Sequence, residues 1–320
     1  MEVNHWQGRQ VLVTGATGFV GSWLVKELLA RGAAVSVLIH EREQGSMLLR
    51  EKIDRQTTVV EGALQDYAAL KRAVESVDTV FHLGAETLVG EALQDPLNTF
   101  ESNIRGTYHL LEACRTRKTP FRAIVVASSD KAYGDCDDLP YTEETPLAGR
   151  HPYDVSKSCT DLLALTYAET YALPVRVARC GNIYGGGDMH ESRIVPGTIR
   201  SLHRGEAPVI RSDGTYLRDY LYVTDVVNAY LLLADANLPP NSPRAFNFGP
   251  NQPISVLEIV EVITRLMHCE HLPPTILNEA KAEIHDQYLS SALAQKLLGW
   301  EPQVSLEEGL RHTIAWYAES

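Results

Sequence analysis

No stretch of this 320-residue chain comes near the roughly 18 consecutive apolar residues that a membrane-spanning helix needs. A helical span is therefore excluded. Paired cysteines are missing too: Cys114, Cys136, Cys159, Cys180 and Cys269 are far apart and form no C-x-x-C motif. That pattern argues against a disulfide framework or a zinc site and reads as reduced thiols. The histidines show no metal-ligand spacing, so no metal is expected. Positive charge is scarce as well, with 29 Lys and Arg against 41 Asp and Glu and a formal net charge of −12. Such a chain is not built for nucleic acid or an anionic membrane, although a few local arginines suffice for an anionic small molecule. The stretch from Met1 to Arg9 is polar and unlike a signal peptide; with the reduced thiols it predicts a soluble cytoplasmic protein.

What is present is an alternation. Residues 10–14, 35–39, 57–60, 79–83, 123–127 and 175–179 are short β-rich runs, and a helical apolar stripe over 22–30 lies between the first two. Strands and helices alternating at this spacing predict right-handed crossovers and an α/β, Rossmann-type, doubly wound parallel sheet. Beyond residue 180 the pattern loosens into loops around a helix at Pro196. A strand at 245–249 follows, then a helix over 256–267, a loop through 297–302 and a capped helix over 305–317. The expected organisation is a dinucleotide-binding domain over 1–178, with returning segments near 219–249. A smaller, interleaved C-terminal substrate lobe takes 179–218 and 250–320, with ligand between the two over the strand C-termini.

Gly15, Gly18 and Gly21 follow the first strand and open the first helix. A turn of this kind aims backbone N–H groups and the positive end of a helix at a diphosphate. The spacing is G-x-x-G-x-x-G, not the G-x-G-x-x-G of classical dehydrogenases. After the second strand the chain offers Glu41 for a ribose and Arg42 for a 2′-phosphate, which leaves NAD and NADP both open.

Tyr153 and Lys157 are four residues apart and so stack one turn apart on a helix face. The ammonium lowers the phenol pKa, and the phenolate can take a proton from a sugar hydroxyl as hydride leaves the same carbon. The pair falls one helix after a strand that ends in Ser128 and Ser129, followed by Asp130 and Lys131.

Here the chain resembles the extended short-chain dehydrogenase/reductases that modify nucleotide sugars, the NAD-dependent epimerase/dehydratase family. The matching pieces are the glycine run 14–21, His82-Leu-Gly-Ala85, Asn103-Ile-Arg-Gly-Thr107, Tyr153/Lys157, Gly181-Asn182, Arg218-Asp-Tyr-Leu-Tyr-Val223 and Leu298-Gly-Trp300, spread over nearly the whole length. The resemblance implies a nucleotide-diphosphate sugar as substrate, oxidised transiently at C4. It implies a bound NAD (or NADP) held by Gly15, Thr17, Gly18, Phe19, Val20, Gly21, Leu83, Ala85, Asn103, Ser128, Tyr153 and Lys157. Sugar 4-epimerases of the family usually carry small neutral residues after the catalytic serine or threonine, and 4,6-dehydratases carry Asp-Glu. Asp130-Lys131 is the variant typical of CDP-glucose 4,6-dehydratases. Ala63 and the segment 218–223 depart from that subfamily and leave the nucleotide base open.

The implied roles follow. Tyr153 takes the O4 proton, Ser129 hydrogen-bonds O4, Lys131 removes the C5 proton and Asp130 protonates the departing C6 hydroxyl. Lys131 acts as a base only with a lowered pKa, expected from burial beside Lys157. Arg218, Arg193 and Arg211 are candidates for the diphosphate, and Asn182 for the diphosphate or sugar. Tyr133 is open between sugar contact and core, and His82 is expected to be structural. The alternatives are a 4-epimerase, in which Asp130 and Lys131 only brace the turn, and a non-catalytic dinucleotide sensor. The resemblance also implies a homodimer through 97–114 and 153–171.

Overall fold

The computed structural model describes residues 5–42, 45–239, 241–280 and 283–319. The first four residues, part of the polar start, lie outside the described residues. β1 (Gln10–Thr14), β2 (Ala34–Ile39), β3 (Thr58–Glu61), β4 (Thr79–His82), β5 (Ala123–Ser129) and β6 (Val175–Cys180) join a seventh strand, Ala245–Phe248. Together they form one seven-stranded sheet in the order Ala245–Phe248, β6, β5, β4, β1, β2, β3. Every ladder in it is parallel. Strands covered on both faces read as near-continuous apolar runs, which is why β1, β4 and β5 carry so little alternation. The doubly wound expectation holds. One apolar core packs α1 (Phe19–Ala30) and the helix Val223–Asp235 on one face. A second packs the helices Tyr67–Val74, Gly106–Thr116 and Pro152–Tyr171 on the other. Among the described residues no helix is long and apolar enough to cross a membrane.

Two features of this sheet position the site. The chain runs outward from β1 to β3 and then returns to lay β4 on the other side of β1. That reversal opens a crevice above the C-terminal ends of β1 and β4, where ligands bind in such sheets. β5 also outruns its neighbour: its pairing with β4 ends at Val126, whereas its pairing with β6 continues through Ser129. The serines therefore stand at the rim.

The segments after β6 build a third core around Tyr184, Val195, Ile199, Tyr220, Ile259 and Leu310. Three small ladders knit it together: Asn182–Tyr184 with Tyr220–Tyr222, Leu217–Arg218 with Ile254–Ser255, and Val209–Ile210 with Thr275–Ile276. None of them was expected, because two- and three-residue strands carry no period to read. Two helix boundaries also differ. α1 starts at Phe19 instead of residue 22, since Gly18 serves as its extended N-cap. Leu297 and Leu298, expected in a loop, close the helix Ala292–Leu298, which stops where Gly299 turns left-handed at φ 65°. Both leucines pack on the core, and that burial extends the helix to the glycine.

Candidate active site

The glycine turn is tight against its neighbours. Gly15 has φ 72°, and a Cβ there would sit 2.6 Å from the Gly84 nitrogen, so the turns after β1 and β4 touch. A Cβ on Gly21 would lie 2.0 Å from the Gly15 carbonyl oxygen, so only glycine lets α1 approach the strand this closely. No side chain caps α1 and its first turn holds no acidic residue. The N–H groups of Phe19, Val20 and Gly21 are thus left without intrahelical acceptors at the positive end of a 12-residue helix. This cradle, which a Cβ would fill, fits a dinucleotide diphosphate. Thr17 is held from behind, its carbonyl accepting from Ser46 Oγ at 2.6 Å. Leu83 and Ala85 lie in the turn after β4, and the Ser128 hydroxyl is buried with no partner among the described residues. Arg42 lies 3.4 Å from Asp54, an acid that competes with a 2′-phosphate, while Glu41 is exposed.

Asn103, expected against the cofactor, is held by the protein: Nδ2 donates to Glu86 O and Ser156 Oγ, each at 2.9 Å, and Oδ1 accepts from Glu86 N at 2.7 Å. It braces the 84–88 turn against the long helix. His82 behaves as expected. Its ring bridges Thr14 Oγ1 (2.8 Å) and Thr107 Oγ1 (3.0 Å), and burial lowers its pKa to about 3, so it stays neutral.

Tyr153 and Lys157 sit in the first turns of Pro152–Tyr171, a helix begun by proline at its first position. Both are buried. Lys157 Nζ donates to the Ala127 carbonyl at 3.0 Å and lies 5.9 Å from the Tyr153 ring centroid. Burial lowers its pKa to about 8. Burial also pushes the Tyr153 phenol up, against Arg193 and a hydrogen bond with Ser129, which pull it down. Arg193 thus adds a second cation beside the phenol, in addition to Lys157 on the same helix face. Arg193 is held by Asp188 at 2.9 Å and Thr87 Oγ1 at 3.0 Å.

Asp130 and Lys131 form a single 3₁₀ turn, Asp130–Tyr133, directly after β5. Ser129 Oγ donates to Asp130 Oδ1 at 2.9 Å and accepts from Lys131 N at 3.2 Å. Asp130 is 1% exposed, and its Oδ2 has no partner among the described residues. Burial raises the Asp130 pKa and lowers that of Lys131. The cation that further disfavours the Lys131 ammonium is Arg218, not the expected Lys157. Desolvation thus shifts the two pKa values toward each other, against the attraction between the two charges, which is the direction an acid and base pair needs.

Arg218 is buried, and its guanidinium donates to the carbonyls of His285 and Ile284, both at 2.6 Å, and of Leu217 at 2.8 Å. Asn182 begins its short strand with its backbone N–H on Asp219 O at 2.8 Å. The structure does not gather Arg211 with them: its side chain is exposed, and its carbonyl takes Glu279 N at 2.7 Å. Tyr133 belongs to the core. It is 1% exposed, stacks on Tyr141 at 4.9 Å, and its hydroxyl joins Arg179 (2.8 Å) to Asn247 (2.7 Å). Sequence reasoning missed Gln287, fully buried, whose Oε1 accepts from Lys131 Nζ at 3.3 Å across 156 residues. No local motif marks it.

A parallel sheet with a glycine cradle at its switch point, and a Ser, Tyr and Lys at the rim, define a dinucleotide enzyme with its own proton apparatus. The chain belongs to the NAD dependent epimerase/dehydratase family, whose model matches residues 11–249. It is 31% identical to a dTDP-glucose 4,6-dehydratase of Haemophilus influenzae, over 96% of this chain and 97% of that one. It is 28% identical to a CDP-glucose 4,6-dehydratase of Salmonella typhimurium, over 99% and 92%. Among solved structures, UDP-glucose 4-epimerase of Thermotoga maritima with UDP-glucose superposes with a TM-score of 0.89 at 29% identity, covering 97% of this chain and 99% of that one.

Proposed function

We propose that the protein is an NAD-dependent nucleotide-sugar 4,6-dehydratase of the CDP-glucose type. The observation that carries the reading is the buried Asp130–Lys131 turn, whose surroundings favour a protonated carboxyl and a neutral amine. In an epimerase the pair would only brace the turn. Residues 1–178, with 219–249, serve the cofactor in this reading, and 179–218 with 250–320 serve the nucleotide sugar. The cradle of Gly15, Gly18 and Gly21 would hold NAD, which would supply the hydride acceptor for sugar C4 and the hydride for C6.

The chain's own residues move the protons. Tyr153 takes the O4 proton while Ser129 hydrogen-bonds that oxygen. The C4 ketone acidifies C5–H, and the neutral Lys131 amine removes that proton. The C5–H electron pair becomes the C5=C6 bond as the C6–O bond breaks, and the Asp130 proton leaves with the hydroxyl as water. Lys131 then returns its proton to C5. Ser129, which donates to Asp130 Oδ1 and lowers the Tyr153 pKa, offers the phenol proton a route back to Asp130. Asn182, Arg193 and Arg218 are the proposed diphosphate and sugar contacts, with Arg211 at the periphery.

A screen of CDP-, dTDP-, UDP- and GDP-sugars for a keto-sugar chromophore in alkali tests this. Lys131→Ala should lose about 10²–10⁴-fold in keto-sugar formation while still oxidising C4, visible as reduced cofactor. An epimerised sugar without a stable ketone would overturn the dehydratase reading. Leu97, Leu162 and Tyr171 are 68%, 55% and 49% exposed on the two segments expected to dimerise, which supports a homodimer. Its mass by sedimentation tests that. The reduced-thiol pattern supports a cytoplasmic location.

A further inference from the structure

The segment 284–290 crosses from the third core to the catalytic turn and is pinned on both sides. Gln287 N donates to Leu217 O at 3.0 Å, and Leu217 N donates to Asp286 Oδ1 at 3.2 Å. Further on, Tyr141 N donates to Tyr288 O at 3.0 Å and Ser290 N to Tyr141 O at 2.8 Å. Arg218 adds its bonds to the carbonyls of Ile284 and His285. A strap held at this many points has little freedom, so the side chain it delivers over the turn is fixed in place.

That side chain is Gln287. It is 0% exposed, its Oε1 accepts from Lys131 Nζ, and its Nε2 has no partner among the described residues. Leaving a buried amide donor unpaired is costly, and the same cluster contains a second unpaired buried atom, Asp130 Oδ2. An amide donor and a carboxyl oxygen left open together beside Lys131 mark a place where a polyhydroxy ligand completes the hydrogen bonding.

We propose that Gln287 is a positioning residue for the elimination step: its Oε1 aims the Lys131 amine at C5–H, and its Nε2 donates to a hydroxyl oxygen of the bound sugar. The inference rests on the dehydratase reading above. The amide suits this task because it is uncharged. Its oxygen orients a neutral amine and binds more strongly once the amine has taken the C5 proton. A carboxylate there would hold Lys131 as a permanent ammonium. The charged groups acting on Lys131 are otherwise Arg218, which opposes its protonation, and Asp130, Asp154 and Glu283, which favour it.

Two substitutions and a control decide the matter, with keto-sugar formation, reduced cofactor, bound NAD and the pH profile measured in each. Gln287→Glu should lower keto-sugar formation about 100-fold or more at neutral pH, with the rising limb of the profile displaced to higher pH. Gln287→Met, of similar volume but without polar atoms, should lose about 10-fold with no such displacement, while C4 oxidation persists. Parental rates, or a fall of C4 oxidation in step with elimination in Gln287→Met, would overturn the assignment, since a merely structural residue slows both steps alike. The displaced limb in Gln287→Glu follows from a new carboxylate beside Lys131. If Gln287→Glu loses its bound NAD through misfolding, Gln287→Met decides by whether elimination falls while oxidation is kept. Lys131→Ala separates the two levels of argument. Elimination surviving in that variant sinks the dehydratase base itself; elimination lost there but intact in the Gln287 variants sinks only the role of Gln287.

Discussion

Two buried charge clusters lie near the C-terminal rim of β5 and β6, and they differ in one respect. In the first, Arg179 forks onto Asp161 with two bonds of 2.8 Å and gives a third to the Tyr133 hydroxyl. Asn247 accepts from Tyr133 and donates to Tyr141 O at 3.1 Å. This cluster is closed. In the second, Asp130, Gln287 and Asp219 are just as deep around a half-buried Lys131, yet Asp130 Oδ2, Gln287 Nε2 and Asp219 Oδ2 all lack partners among the described residues. A bidentate guanidinium–carboxylate pair returns the desolvation cost of its charges, whereas the open cluster returns too little and its members shift toward neutrality. Stability gathers in the closed cluster and reactivity in the open one.

The sharpest contrast comes from removing one carboxylate charge on each side. Asp130→Asn should cost about 10²–10⁴-fold in keto-sugar formation, for want of the C6 proton donor. Its stability to denaturant should be unchanged or slightly increased, because an isosteric neutral group replaces one that burial already disfavours as an anion. A large loss of stability would erase the distinction. Asp161→Ala should do the reverse, losing about 3–5 kcal/mol on urea unfolding by stranding the Arg179 guanidinium.

A smaller effect tests the open cluster by pH. Burial raises the Asp219 pKa to about 6 from its usual 3.8. Between those values the folded state keeps a proton that the unfolded chain has released, so stability falls as pH rises from about 4 to 6 and is level above. The fall amounts to at most about 3 kcal/mol and should be absent in Asp219→Asn, read from unfolding at pH 4, 5, 6 and 7. A parental pH slope in that variant would assign the titration elsewhere.

The two clusters also differ in how far they could be read from the chain. Gly15, Gly18 and Gly21 need nothing beyond a strand, a turn and a helix in succession, so their purpose is legible locally. Tyr153 and Lys157 follow from helical spacing alone, and Asp130 with Lys131 from adjacency to a strand end. Gln287 had no such signal, because it enters from an irregular segment 156 residues further along the chain than Lys131. Lys157 lies beside the Tyr153 ring as the helical spacing implies, and two further cations come from distant segments: Arg193 lowers the Tyr153 pKa and Arg218 lowers that of Lys131. Asn103 stands in a family motif, yet its amide is consumed by Glu86 and Ser156. Adjacency along a helix or turn is set by backbone geometry; electrostatic neighbours are set by which distant loops fold over the turn.

Sequence by itself determined the sheet, the glycine cradle, the family and the order of the reacting residues. Each depends on contacts a few residues apart or on a periodic apolar pattern. Tertiary structure alone decided the ionisation of Asp130 and Lys131, the commitment of Arg218 to the 284–285 carbonyls and the arrival of Gln287 over the amine. Those properties are sums over groups brought together from β5, the long helix and the third core. The energy of burying a charge depends on all of them at once.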